Sequence, residues 1–245
     1  MSLSLARRAS AECAGTGLLV AAVVGSGIAA TRLSPQDVGL QLLENALATA
    51  LALGALILTF GPVSGAHFNP IVSMVDWWSG RRTGTGLTGP DLCVYVVAQC
   101  SGAVGGAILA DLMFGLPAVT WSRTHRGGPP LWLAEIVATA ALVLLIFALA
   151  RSGRAAVAPA AVGAYIGAAY WFTSSTSFAN PAVTIGRTFT DTFAGIAPSS
   201  APGYLVAQLL GGLVAVAGLS WWYPSAGRPA GAAVVSQPDQ EAGVR

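Results

Sequence analysis

Ser64-Gly65-Ala66-His67-Phe68-Asn69-Pro70-Ile71-Val72-Ser73-Met74-Val75-Asp76-Trp77-Trp78, together with the later Asn180-Pro181-Ala182-Val183-Thr184-Ile185-Gly186-Arg187-Thr188-Phe189, decides how this chain folds. Both contain an Asn-Pro pair, which is a helix-start signal. Asparagine accepts from the first free N–H groups, and proline at the first helical position has no N–H to lose and a φ already set for a helix. From each asparagine the helical pattern runs only about ten residues, half of the roughly 20 a bilayer core requires. Residues 61–67 and 173–177, just ahead of these helices, are too rich in Gly, Pro, Ser and Thr to be helical. Two short helices entered through irregular chain read as half-helices that stop inside a membrane.

The surrounding sequence requires a membrane. Of 245 residues, 54% are hydrophobic and only 9% are charged, and the mean hydropathy is +0.67. A soluble domain carries charge on about a quarter of its residues, so this chain cannot cover itself with a water-facing surface. Its 30 glycines fit helices that approach closely in lipid. A net charge of +2 gives no nucleic-acid footprint. All the basic residues are arginine, so lysine Schiff-base chemistry is excluded. Cys13, Cys93 and Cys100 lie in apolar runs without metal-ligand spacing and read as buried small hydrophobes.

Six long apolar segments are predicted as spans, at residues 12–30, 38–61, 92–114, 131–150, 155–172 and 204–222. Arg7 and Arg8 ahead of an apolar run resemble a signal peptide, but the run is long enough to cross and reads as the first helix. Six crossings place both termini on one side. That side receives eight of the twelve arginines, and Arg32, Arg123, Arg126 and Arg187 fall on the other. The asymmetry predicts cytoplasmic termini. By the same parity the two half-helices enter from opposite faces.

The two halves echo each other. Ala11-Glu12, Thr16 and Leu19-Val20 recur as Ala134-Glu135, Thr139 and Leu142-Val143. Tyr95, Ala98-Gln99 and Gly102 recur as Tyr204, Ala207-Gln208 and Gly211, with an Asn-Pro pair between the landmarks each time. Three spans per half is an odd number, so the copies are inverted. The expected organisation is a first repeat at 1–120, a second at 121–230 and a flexible tail at 231–245. An inverted repeat with broken helices places its functional site at the midplane between the repeats.

The Ser-Gly-Ala-His-Phe-Asn-Pro-Ile string, the second Asn-Pro-Ala, Glu12, Glu135 and the Tyr-x-x-Ala-Gln box resemble the signature of the aquaporin, or major intrinsic protein, family over residues 12–222. That resemblance implies an all-α membrane protein: six transmembrane helices plus two re-entrant half-helices in an inverted repeat, forming an aquaporin-like right-handed bundle. It implies a passive pore for water and small neutral solutes, no cofactor, and a homotetramer in the lipid bilayer. The signature boxes are Asn69-Pro70-Ile71 and Asn180-Pro181-Ala182, and the two asparagines should turn amide donors into the pore. Facing half-helix N-termini raise a barrier to protons and cations. Glu12 and Glu135 either brace the re-entrant loops or relay protons; the resemblance supports the bracing role. His67 is expected to brace its loop rather than bind metal, and Gly102 and Gly211 to permit close helix crossing.

Two departures from the family pattern stand out. Ile71 replaces alanine where the half-helices should touch, so packing there must differ. Val183 stands where the family carries a filter arginine. Carried over by spacing from the asparagines, the remaining filter positions are Thr49, Ala168 and Ser177. A ring of Thr49, Ala168, Ser177 and Val183 is uncharged, without aromatics, and wide. It suits polyols, urea or metalloid hydroxides such as arsenous acid, the last because some bacterial relatives with this valine are associated with arsenic resistance. Arg187, one turn beyond Val183, stands either at a vestibule or in an ion pair with Asp191. A water-selective pore, a proton-coupled transporter and a closed-pore scaffold are the competing readings. No nucleophile–base pair, phosphate loop or metal cluster suggests an enzyme. The expected location is the bacterial plasma membrane.

Overall fold

The structure, a computed structural model, describes residues 3–81 and 84–223; the predicted tail at 231–245 lies outside the described residues. Among the described residues eight α-helices follow in order: α1 Leu5–Leu33, α2 Val38–Ser64, α3 Pro70–Gly80, α4 Gly89–Met113, α5 Pro129–Arg151, α6 Ala158–Phe172, α7 Pro181–Gly186 and α8 Ala201–Trp222. Three-residue 3₁₀ turns precede α6 (Ala155–Val157) and follow α7 (Arg187–Phe189). Counting the first of these turns with α6, six helices among the described residues are long and apolar enough to cross a membrane. The other two, α3 and α7, are the short Asn-Pro helices.

The boundaries differ from the sequence reading where polar contacts extend a helix. α1 begins seven residues before the apolar run, and Arg8 there donates to Asp91 at 2.9 Å near the start of α4. α2 continues past Gly61 and through Pro62. It survives that proline because the lost bond lies in the last turn, where the Gly65 N–H still reaches the Gly61 carbonyl at 3.0 Å. Gly65, at φ 93°, then ends the helix. The irregular approach to α3 is therefore shorter than predicted. α7 is shorter too: six α-helical residues and a 3₁₀ turn stand where about ten were expected.

The packing repeats as the sequence does. α1 lies along α4, and α5 along α8. Small residues permit both crossings: a Cβ on Gly102 would overlap the Cys13 carbonyl, and one on Gly211 would sit 2.7 Å from the Ile136 carbonyl. The two repeats then join through α2 against α6, with α7 laid against α4 and α3 against α8. Leu47, Leu51 and Leu58 on α2 and Leu213 on α8 are exposed, and they suit acyl chains. Cys93 is exposed on α4 rather than buried, and Cys13 and Cys100 are half-buried.

Candidate pore

The two Asn-Pro helices begin face to face. Asn69 accepts from the Ile71 N–H through Oδ1 at 2.9 Å, and Asn180 accepts from the Ala182 and Val183 N–H groups at 3.0 and 3.3 Å. Each amide also reaches across. Asn69 Nδ2 donates to the Ala179 carbonyl and Asn180 Nδ2 to the Phe68 carbonyl, both at 2.7 Å. A carboxamide nitrogen carries two hydrogens, so one N–H per asparagine is left over, and both residues line a central cavity.

The chain approaching each asparagine is held in an unusual conformation. Ala66 and Phe68 lie at φ 49°, and Ser177 and Ala179 at 51° and 48°. In both repeats these are the residues three and one before the asparagine. A left-handed non-glycine residue costs on the order of 1–3 kcal/mol, so something must hold the loops. Glu12 accepts from Ser64 Oγ (2.6 Å), the His67 N–H (3.0 Å), the Phe68 N–H (2.7 Å) and Gln99 Nε2 (2.8 Å). Glu135 accepts from the Phe178 and Ala179 N–H groups (2.9 and 2.8 Å) and Gln208 Nε2 (2.7 Å). A backbone donor left unsatisfied at membrane depth costs several kcal/mol, so two satisfied N–H groups per loop outweigh the strain. Both oxygens of each carboxylate are committed to these donors, and neither carboxylate lines the cavity.

Two further residues complete the frame and were missed in the sequence. Gln99 Nε2 also donates to Ser73 Oγ, and Gln208 Nε2 to Thr184 Oγ1, both at 2.9 Å. Each hydroxyl residue lies four positions after its asparagine, a repeat that was open to reading. His67 Nδ1 meets Ser73 Oγ at 3.1 Å, and the ring packs edge-on to Tyr95. His67 thus contacts the half-helix and α4 while also lining the cavity.

The cavity wall follows helical spacing: Thr49, Leu53 and Ile57 on α2 face Ala158, Val162, Ile166 and Tyr170 on α6. Leu19 and Val23 of α1 pair in the same way with Leu142 and Ile146 of α5. The result is an apolar wall opposite a polar strip of re-entrant backbone and asparagine amides. At the end away from the start of α1, the wall becomes polar. Thr49 Oγ1 meets the Tyr170 hydroxyl at 3.3 Å, and Ser177 Oγ is buried without a partner. Val183 and Arg187 complete that end.

Two sequence expectations need correction here. Ala168 is exposed on the outside of α6, and Tyr170 takes its place at the cavity. Two helical residues are a 200° rotation, and counting back from Asn180 crossed irregular chain of unknown length. Counting along α6 from Ala158 in steps of four would have found Tyr170. Arg187 does not pair with Asp191. α7 gives way to a 3₁₀ turn at Arg187, so the helical i,i+4 relation is lost. Asp191 accepts instead from the Arg123 backbone N–H (2.9 Å) and Nε (2.7 Å). These bonds hold the Asp191 carboxyl below the usual carboxylate range.

The sequence matches the family Major intrinsic protein over residues 1–178, a stretch that includes the first Asn-Pro box. It is 53% identical over 217 residues to aquaglyceroporin AqpS of Rhizobium meliloti (strain 1021), covering 89% of this chain and 90% of that one. The chain belongs to the major intrinsic protein family. Probable aquaporin AqpM of Archaeoglobus fulgidus is 30% identical over 91% of this chain and 98% of its own. The X-ray structure of the aquaglyceroporin from Plasmodium falciparum superposes with a TM-score of 0.63 at 22% identity, covering 91% of this chain and 98% of that one. It shares the aquaporin fold. As a major intrinsic protein, the chain is a multi-pass membrane channel for water and small solutes and not an enzyme.

Ile71, at the third position of the first box, is buried. Its side chain turns into an apolar cluster with Val143, Phe147 and Leu219. A Cβ on Gly212 would lie 2.7 Å from Ile71 Cγ2, so the bulk added at position 71 is received by a glycine on α8. Gly212 has no match in the first repeat, where Ala103 follows Gly102.

Proposed function

We propose that this channel conducts neutral polar solutes larger than water, such as polyols, urea and metalloid hydroxides including arsenous acid. The observation that carries this reading is Val183. It occupies the position where the family places an arginine, and its side chain offers neither charge nor donors to narrow the outer pore. Thr49, Tyr170 and Ser177 supply hydroxyls for a solute that has shed water, opposite apolar wall. The relatedness to a protein named an aquaglyceroporin points the same way. Asn69 and Asn180 serve as midplane donors, Pro70 and Pro181 start the half-helices, and Ile71 and Ala182 pack them. Glu12, Glu135 and His67 act as loop supports.

We further propose that the repeats divide near residues 120 and 121, that the termini are cytoplasmic in a bacterial plasma membrane, and that four copies assemble with one pore each. Stopped-flow measurements on proteoliposomes test the solute range. Wild type should pass water, glycerol and arsenite, and Val183→Arg should lower glycerol flux about tenfold, a barrier of about 1.4 kcal/mol. A wild-type channel that passes water but neither glycerol nor arsenite sinks the proposal.

A further inference from the structure

Arg187 is a buried cation whose protein partners carry no charge. It is 2% exposed, yet its side chain lines the cavity. Nε donates to the Ala194 carbonyl, and the guanidinium carbon lies 3.4 Å from the centroid of the Phe178 ring. Its two terminal nitrogens have no acceptor among the described residues. A second guanidinium, that of Arg126, stands 5.5 Å from the same ring, and it too spends its donors on carbonyls, those of Gly195 and Phe193. Among the described residues no carboxylate forms an ion pair with either arginine. Glu135 shares this region, but both its oxygens are committed to the loop and Gln208.

Burying a cation is costly unless an anion or several acceptors compensate it, and here the acceptors are carbonyls and a ring face. The remaining donors form a planar fork of the geometry that suits two oxygens of a carboxylate. Ser177 Oγ, buried without a partner, and the Thr49–Tyr170 hydroxyl pair belong to the same end of the cavity. A neutral polyol can use the hydroxyls but gains little from two uncompensated positive charges. A small oxyanion gains from both.

We propose that Arg187 is a specificity-determining residue of the outer pore, forming with these hydroxyls a site for one small oxyanion of carboxylate size. The inference rests on the pore reading above. It differs from a filter arginine in position: the charge comes from one turn beyond Val183.

Competition in proteoliposomes at pH 7 tests it, with lactate as the probe and lactamide as its uncharged isostere. Lactate should slow both glycerol flux and osmotic water flux through wild type in a saturable way, and lactamide should not. Reading water as well as glycerol keeps the two proposals separable, because a channel that excludes glycerol still reports competition. In Arg187→Met the half-inhibiting lactate concentration should rise about tenfold or more, the loss expected for a charge-assisted contact. Arg187→Lys, which keeps the charge but not the fork, should fall between. Equal effects of lactate and lactamide on wild type overturn the proposal even if neither variant folds. An unchanged half-inhibiting concentration in Arg187→Met overturns it too.

Discussion

The two re-entrant segments agree where their loops are held and differ beyond their asparagines. In both, a buried glutamate takes two successive backbone N–H groups of the loop, a glutamine bridges that glutamate to a hydroxyl four residues past the asparagine, and left-handed residues occur at matching places. Beyond that frame they part. The first continues into an eleven-residue helix whose Ile71 is packed against Gly212. The second stops after six residues and turns Arg187 back towards the cavity. Membrane depth explains the division. The backbone of both loops must be satisfied in the same way, because lipid offers no alternative partner, whereas the half-helices beyond the asparagines meet different surroundings, Ile71 an apolar core and Arg187 the cavity.

The largest expected effect tests the shared frame. Glu12→Ala and Glu135→Ala each strand two backbone donors, and each should cost about 2–6 kcal/mol, at about 1–3 kcal/mol per unsatisfied buried donor. Thermal inactivation in detergent would report this as a sharp loss of folded protein. If one variant is tolerated and the other is not, the frames are not equivalent.

A smaller effect tests the divergence in packing. Ile71→Ala should cost about 2–4 kcal/mol through the cavity it leaves, and Gly212→Ala about 1–3 kcal/mol through overpacking. The double variant should cost less than the sum, because each change offsets the other. Additive costs in a melting series would separate the two residues.

At the polar end of the cavity, Tyr170→Trp should lower glycerol flux several-fold, whereas Ala168→Trp should stay within about twofold, since substitutions away from the pore change little. The reverse result would restore the spacing read from Asn180. The smallest effect concerns the loop that follows α7. The Asp191 carboxyl is depressed below its unfolded value, so its contribution is fully present above the unfolded value of about 3.9 and lost as pH falls through the folded one. Flux should therefore be flat from pH 8 to about 5 on this account. Asp191→Asn should cost less than about 1 kcal/mol, because its arginine partner is exposed. A flux transition between pH 5 and 8 that vanishes in Asp191→Asn would contradict this.

These comparisons also explain what the sequence could tell. The spans, both half-helix starts and both glutamates were legible because each follows from a local rule: length in lipid, an Asn-Pro start, an acid in an apolar helix. Tyr170 was not, because the position was counted through irregular chain, where one residue more or less rotates the preceding helix by 100°. The Arg187–Asp191 pairing was one of two readings, and it failed because it assumed α-helix beyond Gly186. Gly212 could be recognised only once the direction of the Ile71 side chain was known. Regular segments carry their own ruler, and the joints between them do not.

The crossed asparagine bonds have a consequence for how the protein is made. Asn69 donates to a carbonyl 110 residues further along, and the Phe68 carbonyl receives its donor from 112 residues further along. At a synthesis rate of about 5–20 residues per second, the first loop waits on the order of ten seconds in the membrane before its counterpart exists. During that interval the first half can insert its spans and seat its loop on Glu12 and Gln99, but Asn69 has no carbonyl yet to donate to across the midplane. The crossed bonds therefore wait for the second half: each half supplies the carbonyl that the other half's asparagine needs.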